Sequence, residues 1–335
     1  MSGMKQNVSK ILKNNIVVIA LLLLVVIMSI VADTFFTVSN IVNIFTQIAI
    51  YGIVACAMTI SIIGGEFDLS VSSLIGVITI LFTDFSKNYG VLPAIAVCLA
   101  AGIVVGLING FLVAKIKMSA FVATLSTMLS LKGFALTYTS GKPINYANNA
   151  IYEFGNGDVL GIPIIVLFFF GALLLTFFVL RFTRFGRGVY ATGGNPMVAK
   201  MVGINVTFYK TMLFVILGVA TAIAGILMGA RLQSGNSLYG RDLTMSVVAG
   251  VVIGGTSLSG GRGSAFKTLW GMLVIGVLFN ALMILGVQAN IQDVVKGAIL
   301  IAVVSTDAVF AQRKSRRKIS PGQDGAKPAE SQTTG

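Results

Sequence analysis

Residues 41–63 read Ile-Val-Asn-Ile-Phe-Thr-Gln-Ile-Ala-Ile-Tyr-Gly-Ile-Val-Ala-Cys-Ala-Met-Thr-Ile-Ser-Ile-Ile, a stretch without a charged side chain. A helix of this length crosses about 30 Å of hydrocarbon, because each residue adds about 1.5 Å. Of the 335 residues in the chain, 56% are hydrophobic and only 10% are charged. An ordinary water-soluble domain would lack the polar surface to cover so much apolar mass. The stretch therefore predicts a membrane-spanning helix.

Similar apolar runs recur along the chain on both sides of this stretch. Together they predict an all-α, polytopic integral membrane protein with about ten transmembrane helices in one bundle. The other long runs cover Ile16–Ala32, Val91–Ala114, Val159–Leu180, Thr211–Ala230 and Thr268–Gln288. Shorter or charge-marked runs cover Ser70–Phe82, Met118–Tyr138, Leu243–Ile253 and Ile291–Phe310.

The net charge of +13 is distributed unevenly between the loops on the two sides of the predicted bundle. When the runs are followed in order, most lysines and arginines fall on one side. Only Lys87, Lys142, Arg231 and Arg241 fall on the other. This asymmetry follows the positive-inside rule and predicts an even number of spans with both termini cytoplasmic. The basicity orients the chain in the lipid bilayer and indicates no nucleic-acid partner.

The residue inventory argues against several kinds of catalytic and metal site. The chain has no histidine, and its two cysteines, Cys56 and Cys98, lie in separate apolar runs. Intramembrane proteases of the serine and metal types therefore lack their usual base or ligands. The glycine cluster at 254–264 lacks the lysine of a nucleotide-binding P-loop. We expect no catalytic residue, metal or cofactor in this chain.

Polar side chains within the apolar runs are candidates for lining a translocation pathway. A polar or ionisable group at membrane depth is a hypothesis of function by default. The alternative is a hydrogen bond between helices that fixes their packing, worth about 1 kcal/mol. The sequence leaves both interpretations open. The candidates are Gln47, Asn109, Lys132 and Asn280, and Lys296 lies within the last run.

Three glycine-rich motifs separate the runs. The first is Gly64-Gly65-Glu66-Phe67-Asp68-Leu69-Ser70-Val71-Ser72-Ser73, whose glycines end one helix and whose Asp68 or Ser70 can cap the next. The second is Gly106-Leu-Ile-Asn109-Gly110-Phe-Leu-Val-Ala-Lys115, followed by Phe121-Val122-Ala123-Thr124-Leu125. The third combines the loop Arg184–Ile204 with Gly254-Gly255-Thr256-Ser257-Leu258-Ser259-Gly260-Gly261-Arg262-Gly263. We expect structural turns at Gly64, Gly65, Asp68, Gly254, Gly255, Gly260 and Gly261.

In this order and spacing, the three motifs resemble the permease subunits of bacterial ABC importers for monosaccharides, the ribose/xylose/arabinose permease family. The resemblance covers nearly the whole chain up to about Phe310. It implies a non-catalytic subunit in the bacterial cytoplasmic (inner) membrane, paired with a second permease subunit as a homodimer or related heterodimer. It also implies a sugar ABC ATPase as a partner and an extracytoplasmic sugar-binding protein that delivers the substrate.

The resemblance implies that the chain forms the translocation pathway for a monosaccharide, a ribose-like pentose or related sugar. The alternative function is a self-contained secondary carrier or channel for a small polar solute. Two places differ from the family pattern. Glu66-Phe67 replaces a single apolar residue, and Thr244 and Ser246 stand where relatives often carry acidic residues. The sequence therefore does not specify the sugar.

The cytoplasmic segment near 183–204 contains the signals of a short helix. Asn195 is a good N-cap, Pro196 is favoured at the first helical position, and Gly203 is favoured after the last. Four apolar residues share one side of this helix: Met197, Val198, Met201 and Val202. On pattern alone, this side either docks on a partner or packs back onto its own bundle. The resemblance favours docking, and implies that Asn195–Gly203 is the helix that couples to the ATPase.

The predicted domain organisation is simple. Residues 1–312 form the transmembrane permease domain, and no stretch indicates a separate domain. Residues 313–335 begin with a basic cluster and continue as a polar tail rich in proline and glycine. Such a composition cannot bury enough apolar surface to fold, so we expect a disordered cytoplasmic tail.

Overall fold

The computed structural model describes residues 16–319, and its regular structure is almost entirely helical. In chain order the helices are α1 (Ile16–Val31), α2 (Val38–Ile63), α3 (Val71–Tyr89), α4 (Val91–Gly110), α5 (Ala120–Thr139), α6 (Asn149–Asn156), α7 (Ile164–Phe182), α8 (Arg184–Gly194), α9 (Pro196–Met201), α10 (Val206–Leu232), α11 (Leu243–Ile253), α12 (Ala265–Ile284) and α13 (Ala289–Ile319). Helix α4 continues as one π-helical turn, Phe111–Lys115. Four short strands form two antiparallel pairs, β1 (Ile144–Asn145) with β4 (Ser234–Gly235) and β2 (Asp158–Val159) with β3 (Ile162–Pro163).

Each predicted apolar run contains a helix, which confirms a polytopic all-α membrane protein. Within residues 16–319, six helices are long and apolar enough to cross a bilayer: Val38–Ile63, Val91–Lys115, Ala120–Thr139, Ile164–Phe182, Val206–Leu232 and Ala265–Ile284. Helices α1 and α11 are apolar but shorter. The count of about ten spans therefore stays a prediction. The basic cluster at 313–318 lies in α13, and the predicted disordered tail from 320 onward lies outside the described residues.

Helix α2 lies at the centre of the bundle, where it contacts α7, α10, α11 and α12. From Ile48 to Ile63, every side chain except that of Tyr51 is buried. A helix that is apolar on all sides is stable only when other apolar groups surround it. The uncharged sequence of α2 therefore sets its central position.

Helices α4 and α10 pack with their backbones almost in contact. An added Cβ at Gly102 would lie 2.5 Å from the carbonyl oxygen of Gly218, and one at Gly106 would lie 2.6 Å from that of Phe214. Small residues permit this close approach, which van der Waals attraction then stabilises within a membrane. A larger side chain at either position of α4 would push the two helices apart.

Residues 233–242 connect α10 to α11 without forming a helix, and they run back along α3. An added Cβ at Gly235 would lie 2.5 Å from the Cα of Ile80, in the middle of α3. One at Gly240 would lie 2.9 Å from the carbonyl oxygen of Ser72, near the start of α3. Irregular backbone in the interior of a membrane bundle is tolerated where it is buried in protein or lines a cavity.

Helices α2 and α11 both end in Ile-Gly-Gly, with nearly the same geometry. Gly65 and Gly255 have φ angles of +86° and +89°, a left-handed conformation that glycine adopts without steric cost. Gly64 and Gly254 keep right-handed conformations. Gly64 also packs closely, because an added Cβ would lie 2.3 Å from the side chain of Leu213, which would have to move. Both predicted glycine turns are therefore helix ends.

Candidate coupling surface

The short helix predicted in the segment near 183–204 is present as α9. The side-chain oxygen of Asn195 accepts hydrogen bonds from the backbone N–H groups of Met197 at 3.0 Å and Val198 at 3.1 Å. Pro196 occupies the first helical position. Gly203, just beyond the helix, has a φ angle of +84°. The Asn195 cap, Pro196 at the first helical position and Gly203 beyond the last turn explain why six residues form a separate helix here.

The apolar side of α9 points away from the rest of the chain. Its exposed apolar side chains are Met197 (76% exposed), Val198 (52%) and Met201 (81%), and Val202, the residue directly after the helix, is 70% exposed. Ala199, which is 2% exposed, faces the bundle instead. The alternative that Met197 and Met201 pack back onto their own bundle is therefore wrong for this conformation. A cluster of exposed apolar side chains on a helix outside the six candidate spans is typical of a contact with another protein or with a membrane surface.

Helix α8, directly before α9, is held by a glycine junction, by which we mean Gly65, Gly193, Gly260 and Gly261. An added Cβ at Gly193 would lie 1.8 Å from the carbonyl oxygen of Ile63, and one at Gly260 would lie 2.6 Å from that of Gly193. The N–H of Gly261 donates to the carbonyl oxygen of Ile63 at 2.7 Å. Three segments distant in sequence thus meet by direct backbone contact.

Aromatic side chains anchor α8 to the neighbouring elements. The hydroxyl of Tyr190 donates a 2.9 Å hydrogen bond to the carbonyl oxygen of Gly263. Burial raises the pKa of this hydroxyl, so it stays protonated and remains a donor at neutral pH. The ring of Phe185 stacks on that of Tyr209 in α10, with centroids 5.4 Å apart. Because α8 is fixed on two sides, α9 has a defined position at the end of the bundle.

An open cleft of about 970 Å³ lies beside α9, between the first turn of α10 and the connection from α4 to α5. Its lining includes Pro196, Met197 and Lys200 of α9. Glu66 also lines it and is buried, and its carboxylate forms an ion pair with the ammonium of Lys210. The cleft combines apolar and charged groups next to the exposed side of α9. Such a mixture suits the surface of another protein better than a lipid tail.

Asn109, a candidate pathway residue, lies in a hydrogen-bond network inside the bundle. Its amide nitrogen donates to the carboxylate of Asp68 at 2.9 Å and to the hydroxyl of Ser70 at 3.0 Å. Its amide oxygen accepts from the hydroxyl of Thr127 at 2.7 Å. Asp68 also accepts from the backbone N–H of Ser70 at 2.7 Å, which fixes the turn before α3. In this conformation Asn109 joins α4, α5 and that turn.

The other three candidate pathway residues are not part of this network. Asn280 is buried and exchanges two hydrogen bonds with the side chain of Asn40, at 2.8 and 3.0 Å. Gln47 and Lys132 are exposed on the surface of the single chain. The structure therefore does not gather the four into one site, and their role in a pathway stays a prediction.

A charged cluster lies where α11 begins. None of its residues was among the four candidate pathway residues. The ammonium of Lys296 forms ion pairs with the carboxylates of Asp242 and Asp293, the latter at 3.1 Å. The hydroxyl of Tyr51 donates to Asp242 at 3.4 Å. Lys296 was visible in the sequence as a cation within an apolar run. Its pairing with Asp242 could not be predicted, because the two residues come from different elements.

Comparison with known proteins is consistent with this architecture. A family model described as the permease component of a branched-chain amino acid transport system matches residues 40–304. The ribose import permease protein of Escherichia coli (strain K12) is 38% identical over 288 residues, 84% of this chain and 89% of that relative. The ribose import permease protein of Bacillus subtilis (strain 168) is 40% identical over 285 residues, 84% of this chain and 88% of that relative.

The L-arabinose transport system permease protein of Escherichia coli (strain K12) is 31% identical over 294 residues, 87% of this chain and 88% of that relative. The chain belongs to the ABC sugar permease family. No solved structure gives a significant match to this sugar permease. The family resemblance that the glycine motifs predicted is therefore confirmed, over nearly the length that the motifs indicated.

The two departures from the family pattern have defined positions in this sugar permease. Glu66 forms the ion pair with Lys210 beside α9. Thr244 and Ser246 lie buried in the first turns of α11, and the Thr244 hydroxyl donates to the carbonyl oxygen of Leu69 at 3.4 Å. Within residues 16–319, no group of three His, Cys, Asp or Glu side chains could hold a metal ion. Cys56 and Cys98 are buried and unpaired with each other.

Proposed function

We propose that this sugar permease forms the translocation pathway of an ATP-driven importer for a monosaccharide, a ribose-like pentose or a related sugar. Ribose and arabinose are the sugars in the names of the similar permeases. An extracytoplasmic binding protein delivers the sugar, and a partner ATPase supplies the energy. The permease itself carries no catalytic residue.

The observation that carries the proposal is the exposed apolar side of α9. Met197 and Met201 are among its most exposed residues, although α9 is capped and rigidly mounted. Removing these side chains from water would stabilise a complex by burying apolar area, at about 25 cal/mol per Å² before the costs of association. In this proposal the coupling residues are Asn195, Pro196, Met197, Val198, Met201, Val202 and Gly203, and they dock in a groove of the ATPase.

The proposed orientation places α9 and both termini in the cytoplasm, in the inner membrane of a bacterium. Loops assigned to one side by their charges also meet in the fold. The turn after α2 and the loop after α11 meet α8 at the glycine junction. β1 pairs with β4, and both belong to loops assigned to the other side. This agreement supports the orientation.

We also propose that residues 1–312 form the permease domain, with a second permease subunit beside it, and that residues 313–335 form the cytoplasmic tail.

The experiment reconstitutes the permease with its ATPase and binding protein in liposomes and measures ATP-dependent uptake of labelled ribose. Met201→Asp places a carboxylate in the apolar contact, and we expect at least a tenfold loss of uptake and of ATPase co-purification. The fold should be unaffected, because Met201 is exposed. Met201→Leu keeps the apolar contact and should retain both activities.

Two outcomes would contradict the proposal. Unchanged ATPase binding and uptake in Met201→Asp would show that α9 does not dock. Concentrative uptake by the permease alone, without ATP or ATPase, would show a self-contained carrier instead.

A further inference from the structure

The charged cluster of Tyr51, Asp242, Asp293 and Lys296 brings three separate parts of the chain together. Tyr51 belongs to α2, Asp242 to the segment before α11, and Asp293 and Lys296 to α13. The Lys296 ammonium also lies 5.0 Å from the centre of the Phe279 ring in α12. Every element in this cluster surrounds the start of the short helix α11. The cluster is thus a meeting point of the bundle.

This cluster lies deep within the part of the bundle that spans the bilayer. Tyr51 is 12 residues before Ile63, the last residue of α2, which places it about 18 Å from that end of the helix. Asp242 belongs to the irregular segment that runs back along α3. Charged groups at such depth are costly and mark solute or ion paths more often than packing contacts.

The cluster is also open to the surface of the chain. The side chain of Asp242 is 34% exposed and that of Lys296 is 17% exposed. A charged pair that faced hydrocarbon would be strongly unfavourable, whereas one that faces an aqueous path keeps part of its hydration. Non-helical backbone at this depth is likewise expected beside a water-filled cavity. Both observations indicate that this surface faces the path of the solute.

A second observation is a buried hydroxyl one turn further along α11. Ser246 is 2% exposed, and its Oγ has no hydrogen-bond partner within the described residues. Because residues i and i+4 lie on the same face of a helix, Ser246 is stacked on the side of α11 that carries Asp242. Buried hydroxyls are nearly always paired. Ser86, Thr192 and Thr256 also lack a partner within the described residues, and of these four hydroxyls Ser246 is the one beside Asp242, where a bond from outside the chain could satisfy it.

We propose that Asp242, Lys296 and Tyr51, with Ser246 next along the helix, form a site inside the membrane for a neutral, hydroxyl-rich solute. The carboxylate accepts hydrogen bonds from solute hydroxyls, and the ammonium and the Tyr51 hydroxyl can donate them. Two carboxylates and one ammonium leave one negative charge, which disfavours anionic sugars. This inference rests on the proposed transport of a monosaccharide and identifies where the permease contacts it.

The first test uses the complete transporter, with permease, ATPase and binding protein in liposomes, and labelled ribose as the probe. Asp242→Asn should lower the maximal uptake rate at least tenfold and raise the half-saturating concentration of loaded binding protein. Asp84→Asn is the matched control, because Asp84 also accepts from a tyrosine hydroxyl, that of Tyr138 at 2.6 Å, but near the end of α3. Uptake by Asp84→Asn should stay within twofold of wild type.

A purely structural role for Asp242 gives a different result. Asp242→Asn would then lower the unfolding temperature and the yield of assembled complex, with unchanged uptake per assembled complex, and the inference would be wrong. If the wild-type complex takes up neither ribose nor arabinose, the proposed substrate class fails, and that outcome does not depend on the Asp242 variants.

A second measurement needs neither ribose uptake nor the Asp242 variant. Ser246→Cys is placed in a chain with Cys56→Ala and Cys98→Ala, which removes the two native thiols. A small, water-soluble methanethiosulfonate reagent should label this thiol at least fivefold faster during ATP turnover than without nucleotide. Equal and negligible labelling in both states would show that no aqueous path reaches Ser246, and the inference would be overturned.

Discussion

The backbone N–H of Gly261 donates a 2.7 Å hydrogen bond to the carbonyl oxygen of Ile63, the last residue of α2. This bond joins the loop after α11 to the most deeply buried helix of the bundle. Gly193 of α8 contacts the same carbonyl oxygen closely enough that no side chain would fit between them. A displacement of α8 and α9 is therefore transmitted to α2 through backbone groups, which deform much less than side chains.

Gly193→Ala should destabilise the permease, because the added methyl group would lie 1.8 Å from the Ile63 oxygen. We expect a loss of about 3 kcal/mol or more in the free energy of unfolding, the range for severe steric conflict. Thermal unfolding in detergent measures this loss of stability. Gly194→Ala is the matched control, since an added Cβ there has no neighbour within 4 Å. Equal unfolding temperatures for the two variants would show that close packing at Gly193 does not stabilise the permease.

Asn195→Ala should loosen α9 while leaving the bundle intact. The substitution removes the acceptor for the Met197 and Val198 N–H groups, a loss of about 1 kcal/mol. Amide hydrogen exchange should become faster in α9 alone. Asn205→Ala removes a comparable cap, the acceptor for the Phe208 N–H in α10, and should leave exchange in α9 unchanged. Unaltered exchange in the Asn195 variant would mean that the cap does not stabilise α9.

Glu66→Gln should leave Lys210 without its ion-pair partner in the cleft beside α9. Lys210→Met should likewise leave the buried Glu66 carboxylate uncompensated, and both changes should lower the unfolding temperature. In the double variant, the two losses should fall short of additivity by about 0.5–3 kcal/mol, the range for groups in direct contact. Strict additivity would show that the pair contributes nothing to stability.

Asn109→Leu separates the two interpretations of this buried amide. The change removes two donors from Asp68 and Ser70 and one acceptor from Thr127. We expect a loss of about 1–3 kcal/mol in stability, because buried polar groups lose their partners. The half-saturating concentration for uptake should stay unchanged. A changed concentration with normal stability would identify Asn109 as a pathway residue instead. Gln47→Leu, at an exposed position, should leave stability unchanged.

Much of the fold could be predicted because apolar runs and glycine turns are local signals. The run 41–63 predicted α2, and Asn195 with Pro196 predicted the start of α9. The bounds of α3 were less predictable. The predicted run ends at Phe82, whereas α3 continues to Tyr89 and includes Asp84 and Lys87. Charged residues in the last turns of a helix lower its mean hydropathy without breaking it.

The sites were less predictable, because they depend on contacts between distant segments. The exposed side of α9 followed from spacing along one short helix. The Glu66–Lys210 pair and the Asp242–Lys296 pair join elements that no periodic pattern relates. Asn109 and Asn280 could be selected from the sequence as polar residues within apolar runs. Only the fold shows that each forms hydrogen bonds with other side chains.

The irregular segment 233–242 has a kinetic consequence. Shifting a transmembrane helix end by one turn breaks several consecutive hydrogen bonds, so the activation barrier is high. This segment is held by short turn bonds such as that from the Tyr239 N–H to the Asn236 carbonyl oxygen at 3.2 Å, by the two-residue pairing of β4 with β1, by the bond from the Asn236 N–H to the Thr79 hydroxyl at 3.3 Å, and by the ion pair of Asp242 with Lys296. Such bonds can open one at a time. We therefore expect the interior of the permease to change shape first along this segment, on a faster timescale than the surrounding helices can tilt.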